Sequence, residues 1–451
     1  MNTTNNTRGF NSNFGAIMAA VGSAVGLGNI WRFPYAAGEN GGGAFVLVYI
    51  LFVFSIGVVV LLSEMIIGRR SQANAVGAFS ALRPKRRGWR AVGALGVLSA
   101  VMIYAFYSVI SGWTLNYVVF SATGKMSGKS PDEITALFDA FKSDSVLPLV
   151  YQFIFMAITA MVVLGGVKKG IEKTSKILMP VLFLLVVALA VRSVTLPGAD
   201  KGIEFLFKPD FSKLGISGLL DALGQALFSL SIGMGAMITY GSYIRKQDSL
   251  FKTGMSVVIS DTVIAVLSGV AVFPAVFAFG MEPAGGPGLV FDVLPNVFNS
   301  MPMGNVFSIL FFILLAIAAL TSMISLLEDV VAWAVEERHW KRTTATVCIS
   351  FFIFLIGIAC SLSFGLMKDV TIAGLTIFDF LDRLTANYFL PIGALATVVF
   401  LGWFCKRSDV YDESSNGGSL KVTFFRIFYF ILKYIAPIAL LIIILTSIIP
   451  K

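Results

Sequence analysis

The sequence has 451 residues, of which 57% are apolar and only 13% charged, and its mean hydropathy is +0.85. Soluble domains carry roughly 25% charged residues, and single soluble cores stop growing near about 250–300 residues, so much of this apolar surface must face lipid. The net charge of +9 comes from 34 Lys and Arg against 25 Asp and Glu, a surplus too modest to demand a nucleic-acid partner. The three cysteines, Cys348, Cys360 and Cys405, sit in apolar runs without metal-ligand spacing. The single histidine, His339, lies in the charged run 336–342, which gives no support to a histidine-based metal site or proton relay.

A spanning helix needs about 20 mostly apolar residues. Eleven stretches qualify, at roughly 14–37 (segment one), 41–68, 91–122, 147–166, 175–196, 216–243 (segment six), 254–281, 304–335, 343–365, 374–405 and 422–449 (segment eleven). The first lacks a basic start and a small-residue cleavage site, so it reads as a span rather than a leader. The longest segments must tilt or project into water. With a cytoplasmic N-terminus, 23 of the 34 Lys and Arg fall in inner loops, as the positive-inside rule requires. The basic balance is then a topology signal, and eleven spans put the C-terminus outside. Two outer stretches, 123–146 and 282–302, carry Gly, Pro, Asp and Ser and read as solvated loops. Residues 1–451 together read as one all-α domain in the plasma membrane.

In lipid every backbone polar group needs an internal partner, so a helix can break only where protein or a water-filled cavity surrounds it. Segment one contains Gly22-Ser23-Ala24-Val25-Gly26-Leu27-Gly28-Asn29, and segment six contains Ser229-Leu230-Ser231-Ile232-Gly233-Met234-Gly235. Either run alone fits close helix packing through small residues. The pair is more informative, because its spacing suits two inverted five-helix repeats, about 14–196 and 216–405, followed by an additional helix at about 422–449. Unwound carbonyls suit a hard cation and half-helix N-termini suit an anion. A zwitterion would fit between such breaks without any charged side chain.

Ionisable groups inside spans are costly, and each needs a reason. Asp261, between Ser260 and Thr262 in segment seven, fits either a structural acid bonded to nearby hydroxyls or the fixed negative charge of a cation site. Arg32 follows the first break and needs an acid. Asp379 or Asp382 in segment ten would serve, as a structural ion pair or as a gate. Glu64 and Glu328 fit helix-holding roles. Thr321 and Ser322 place adjacent hydroxyls after Ala318 in segment eight, although such pairs commonly bond their own helix. In segment five, Gly170 weakens the helix and Pro180 removes a donor, so its cytoplasmic end either unwinds or keeps a static bend.

Together these residues resemble the neurotransmitter:sodium symporter family. Ala20-Val21-Gly22-Ser23-Ala24-Val25-Gly26-Leu27-Gly28-Asn29-Ile30-Trp31-Arg32-Phe33-Pro34 is close to a family signature and continues into Glu39-Asn40-Gly41-Gly42-Gly43-Ala44-Phe45. Further matches are Tyr107 with Ser111-Gly112-Trp113, Lys169-Gly170-Ile171-Glu172 ahead of Pro180, and Gly224-Gln225 through Tyr240. The resemblance thus covers essentially the whole chain. It implies the LeuT-type fold, an all-α membrane protein of eleven spans with a 5+5 inverted repeat and broken helices one and six. It also implies sodium-coupled import of hydrophobic L-amino acids, aliphatic and aromatic, by alternating access.

By position, the resemblance assigns one sodium ion to the Ala24 carbonyl, Asn29, Ser229, Asp261 and the substrate carboxylate. It assigns a second to the carbonyls of Gly22, Val25 and Ala318 with the hydroxyls of Thr321 and Ser322; hard cations prefer such oxygen sets. The substrate carboxylate would meet the Tyr107 hydroxyl and the amides near Leu27 and Gly28. Its ammonium would meet the carbonyls of Ala24, Phe228 and Ser229 and the Ser231 hydroxyl. Ile103, Phe228, Met234, Ser322 and Leu326 would contact the side chain, although core packing is the commoner role of such apolar residues. Methionine is flexible and polarizable, so Met234 implies a pocket that repacks around different substrates. Asp261 and Ala265 stand where relatives carry Asn and Glu, which implies independence from chloride. The resemblance builds an outer barrier from Arg32 with Asp382 (Asp379 as the alternative) under a lid of Tyr107 and Phe228, and an inner one from Arg8, Tyr243 and Glu336.

No Gly-rich phosphate loop supports a primary pump. The polar groups cluster at one level rather than along a pore, and no nucleophile–base pair supports an enzyme. A membrane amino-acid sensor of the same fold, without transport, is the remaining alternative.

Overall fold

A computed structural model describes residues 9–281, 289–420 and 423–448. Among these, nine helices are long and apolar enough to cross a membrane, and a tenth span is the bent pair Asn13–Ala24 and Gly28–Glu39. The eleventh expected span, segment six, consists of Ile216–Ser229 and Ala236–Tyr243. Neither piece reaches spanning length because the chain unwinds between them. Segment five begins earlier than its apolar run, at Val167.

Segments three and eight, Arg90–Ala122 and Gly304–Glu337, run along each other through the centre. Of their most apolar windows 72% and 67% is buried, against 33% for Leu147–Leu164, Val167–Val194 and Phe425–Ser447. Those three are therefore peripheral, and Phe153, Leu184 and Leu441 stand exposed on them where lipid would lie. Segment one passes between segments five, seven and eight, and the inner half of segment six packs on segment two. The two broken segments thus occupy the middle of the bundle, as a polar break at membrane depth requires.

The outer stretches are more ordered than solvated loops. Pro131–Ser143 is a helix opened by a capping box between Ser130 and Glu133. Ile134, Phe138 and Phe141 recur on one helical face and are buried. Phe138 stacks on Phe291 of the other outer stretch with ring centroids 5.6 Å apart, and the Tyr117 hydroxyl of segment three donates to the Phe291 carbonyl at 2.5 Å. Polar composition signalled loops, and the helical spacing of a few aromatics turned them into a packed cap. Residues 282–288 lie outside the described residues. On the opposite side the short helix Arg407–Ser414 is fastened by Glu413 to the buried Arg69 at 2.5 Å.

Candidate functional site

Asn13–Ala24 ends where Val25 turns extended (φ −74°, ψ 107°). The chain resumes with a π turn at Gly28–Arg32, and the second piece is bent by 47° from the first. Gly26 lies in the gap because a Cβ there would collide with the Ser322 hydroxyl and sit 2.8 Å from the Tyr107 hydroxyl. Segment six breaks differently. Positive φ values of 53°, 89° and 88° at Ser231, Gly233 and Gly235 turn the backbone out of the helix. The Gly233 amide donates to Glu64 Oε1 at 2.6 Å, so Glu64 holds the unwound stretch against segment two. The Ser231 hydroxyl donates to the Ser23 carbonyl at 2.7 Å, joining the two breaks directly.

Beside this junction Asn29, Ser229 and Asp261 form one fully buried cluster. Asn29 Nδ2 donates to Asp261 Oδ1 at 2.7 Å and lies 3.1 Å from Ser229 Oγ. The Ser229 hydroxyl donates to Asp261 Oδ2 at 2.6 Å. Asn29 Oδ1 accepts from the Gly26 amide at 3.1 Å and so bridges the first break. A residue not singled out in the sequence completes the cluster: the Tyr49 hydroxyl donates to Asp261 Oδ2 at 3.1 Å. Tyr49 is the one hydroxyl in the otherwise apolar run 43–54, a signal that could have pointed to it.

On the other side of segment one, the Thr321 hydroxyl lies 3.0 Å from the Ala318 carbonyl and 3.4 Å from that of Val25. Gly22 faces the Thr321 side chain, and the Ser322 hydroxyl is 3.5 Å from the Ser23 carbonyl. The cluster is neutral, and all its donors are the hard oxygens that suit an alkali cation.

Beside the two clusters lies a small chamber of about 20 Å³. Ala24, Gly28, Ile103, Tyr107 and Phe228 line it together with Ser231, Met234, Ser322 and Leu326, as does Gly26, which had not been singled out. Leu27 and Ser229 are absent from its wall. Leu27 touches it indirectly, since its amide donates to the Tyr107 hydroxyl at 2.8 Å, and Ser229 is engaged with Asp261. A mostly apolar wall carrying a few hydroxyls suits an apolar molecule bearing a compact polar terminus.

The Sodium:neurotransmitter symporter family matches this chain over residues 8–136 and 142–451. The chain belongs to that family. It is 42% identical over 437 residues to the sodium-dependent transporter YhdH of Bacillus subtilis strain 168, with 97% of each chain covered. The sodium-dependent dopamine transporter of Bos taurus is 25% identical over 486 residues, which span 96% of this chain and 68% of its own. A crystal structure of MhsT in complex with L-phenylalanine superposes with a TM-score of 0.91 at 46% identity, covering 98% of this chain and 99% of that one. The protein is therefore a sodium-dependent membrane transporter of the LeuT-type fold and not an enzyme.

Charged and aromatic contacts lie on both sides of the symporter's chamber. On one side the Arg32 guanidinium lies over the Phe228 ring, 4.7 Å from its centroid, and it lines a cavity of about 230 Å³ together with Asp221 and Arg383 among others. Asp382 is one of the charges acting on Arg32. Asp379 instead lies in the first turn of its own helix, where its carboxylate accepts from the hydroxyl of the N-cap residue Thr376 at 2.7 Å. On the other side the Tyr243 hydroxyl donates to Glu328 Oε1 at 2.8 Å, and Arg342 forms a forked ion pair with the same carboxylate. Glu336 accepts from Asn74 at 2.7 Å and 2.8 Å, and Arg8 lies outside the described residues. Among the described residues Tyr243 meets Glu328 and Glu336 meets Asn74, and Arg342, counted in the sequence only as an inner-loop charge, joins Tyr243 on the Glu328 carboxylate. Gly170 lies in a π turn, Val167–Glu172, and Pro180 lies inside the wound helix Lys173–Val194. Glu172 beside them accepts from the Asn11 amide at 2.7 Å and the Ser12 hydroxyl at 3.0 Å, which ties the start of segment one to segment five.

Proposed function

We propose that this symporter uses the sodium gradient to import hydrophobic L-amino acids, aliphatic and aromatic, by alternating access. The reading rests on the chamber beside the two breaks, where the hydroxyl residues Tyr107, Ser231 and Ser322 stand among the apolar Ile103, Phe228, Met234 and Leu326. The MhsT complex with L-phenylalanine supports an amino-acid ligand. The substrate carboxylate takes the hydroxyl of Tyr107 and the amides of Leu27 and Gly28. Its ammonium takes the carbonyls of Ala24, Phe228 and Ser229 with the Ser231 hydroxyl, and its side chain lies among Ile103, Phe228, Met234, Ser322 and Leu326. One sodium ion completes its shell from Ala24, Asn29, Ser229, Asp261 and the bound carboxylate, so ion and substrate bind better together than apart. A second uses Gly22, Val25, Ala318, Thr321 and Ser322. Asp261 supplies the negative charge beside the first ion, and transport needs no chloride.

Arg32 and Asp382 open the outer barrier over Phe228. Glu328, Tyr243 and Arg342, with Glu336 and Arg8, open the inner one as segment five unwinds between Gly170 and Pro180. The N-terminus lies in the cytoplasm and the C-terminus outside the plasma membrane. Uptake of radiolabelled leucine and phenylalanine into proteoliposomes tests the reading. Accumulation should require an inward sodium gradient and persist when gluconate replaces chloride. Uptake that ignores the gradient would make the protein a facilitator, and binding without uptake would make it a sensor. Competition by a single small aliphatic amino acid alone would remove the broad specificity.

A further inference from the structure

We propose that this symporter holds one anionic phospholipid in a groove between segments three, eight and nine, in the leaflet that meets the loop at 336–342. The groove has a volume of about 800 Å³. Val97 and Val101 of segment three, Val330 and Ala334 of segment eight, and Ile349 and Phe352 of segment nine line it at helical spacing. Such walls offer nothing to a polar ligand. The mouth differs: Arg338 is exposed there, with its guanidinium 5.6 Å from the centroid of the Trp333 ring, and Trp340 stands 45% exposed beside it. Tryptophan at such a position suits the membrane–water boundary.

The nearby acids are already engaged. Glu337 pairs with Arg90, and Glu328 pairs with Arg342. Among the described residues Arg338 and Lys341 have no carboxylate partner, so spare positive charge stands over an apolar slot. Basic sites of this kind between membrane helices attract anionic headgroups. The length also agrees. From Arg342 to Phe352 segment nine rises about 15 Å, half of a hydrocarbon core about 30 Å thick, which is the reach of an acyl chain in one leaflet. The slot ends close to the transport chamber, since Val101 and Val330 lie within about a helical turn of Ile103 and Leu326, both of which line that chamber. A bound chain therefore packs against the two helices that carry the chamber wall.

Native mass spectrometry of protein released from nanodiscs of mixed phosphatidylglycerol and phosphatidylcholine tests this. The expected result is one retained phosphatidylglycerol. Arg338→Gln and Lys341→Gln should each lower retention about fivefold, the effect of one juxtamembrane charge. Ala334→Phe, which fills the slot and leaves the charges in place, should abolish it. Arg426→Gln, which changes an exposed arginine elsewhere, should leave it unchanged. Equal retention of both lipids, or undiminished retention in the Arg338 and Lys341 variants, would overturn the proposal. So would a lipid-free dimer, which would put a second copy in the groove.

Discussion

The two breaks at the centre of the symporter are made by different means. Segment one opens at Val25 with ordinary extended geometry, and side chains take up its loose peptide groups: Tyr107 accepts from the Leu27 amide and Asn29 from the Gly26 amide. Segment six opens because Ser231, Gly233 and Gly235 adopt left-handed conformations, and a carboxylate on another segment, Glu64, takes the Gly233 amide. The first break is thus held by polar partners around the chamber, which a ligand or ion can replace. The second is held by backbone chirality and a remote acid, which no ligand displaces. Segment six is accordingly the firmer wall and segment one the responsive one.

Substitutions can break or sharpen this contrast. The largest effect is expected from Asp261→Ala, which leaves Asn29, Ser229 and Tyr49 without their shared acceptor. Each stranded buried group costs about 1–3 kcal/mol, and sodium-driven uptake should fall to background while the protein still reaches the membrane. Gly233→Ala comes next. A left-handed alanine costs about 1–2 kcal/mol, and its Cβ would run into the Leu390 carbonyl, so the thermal midpoint of the purified protein should drop with substrate present or absent. Glu64→Ala should lower the midpoint less, by the loss of one buried acceptor, and Glu64→Gln, which keeps an acceptor oxygen, should restore most of it.

Thr321→Ala tests the responsive side. It should leave the thermal midpoint nearly unchanged and raise the sodium concentration for half-maximal uptake about tenfold, or roughly 1.4 kcal/mol. An unchanged sodium dependence would separate Thr321 from ion binding. The smallest effect is expected from Met234→Phe, which should shift relative uptake of phenylalanine and leucine a few-fold toward leucine, because a stiff ring replaces an adaptable thioether.

Much of the site was legible because its chemistry is local. Glycines beside small polar residues at membrane depth announced both breaks, and Asp261 stood out as an acid in a span. Three features were not legible in this way. Tyr49 reads as one more aromatic in an apolar helix until folding brings its hydroxyl to Asp261. The cluster at Glu328 joins Tyr243, more than 80 residues away, to Arg342, which lies only 14 residues on but in another helix. Asp379 and Asp382 lie three residues apart, and only the helix start at Thr376, whose hydroxyl donates to Asp379, commits that carboxylate to its own helix.

The sequence alone determined that this chain lives in lipid, where its helices cross, and where two of them must fail. Those follow from the cost of leaving apolar surface in water and peptide groups unpaired in hydrocarbon, and both costs are paid within a single segment. Tertiary structure decided which groups share the Asp261 acceptor, which ring lies under Arg32, and how the outer stretches pack. Those contacts join segments distant in the chain, and their distances are set by packing that no single stretch encodes.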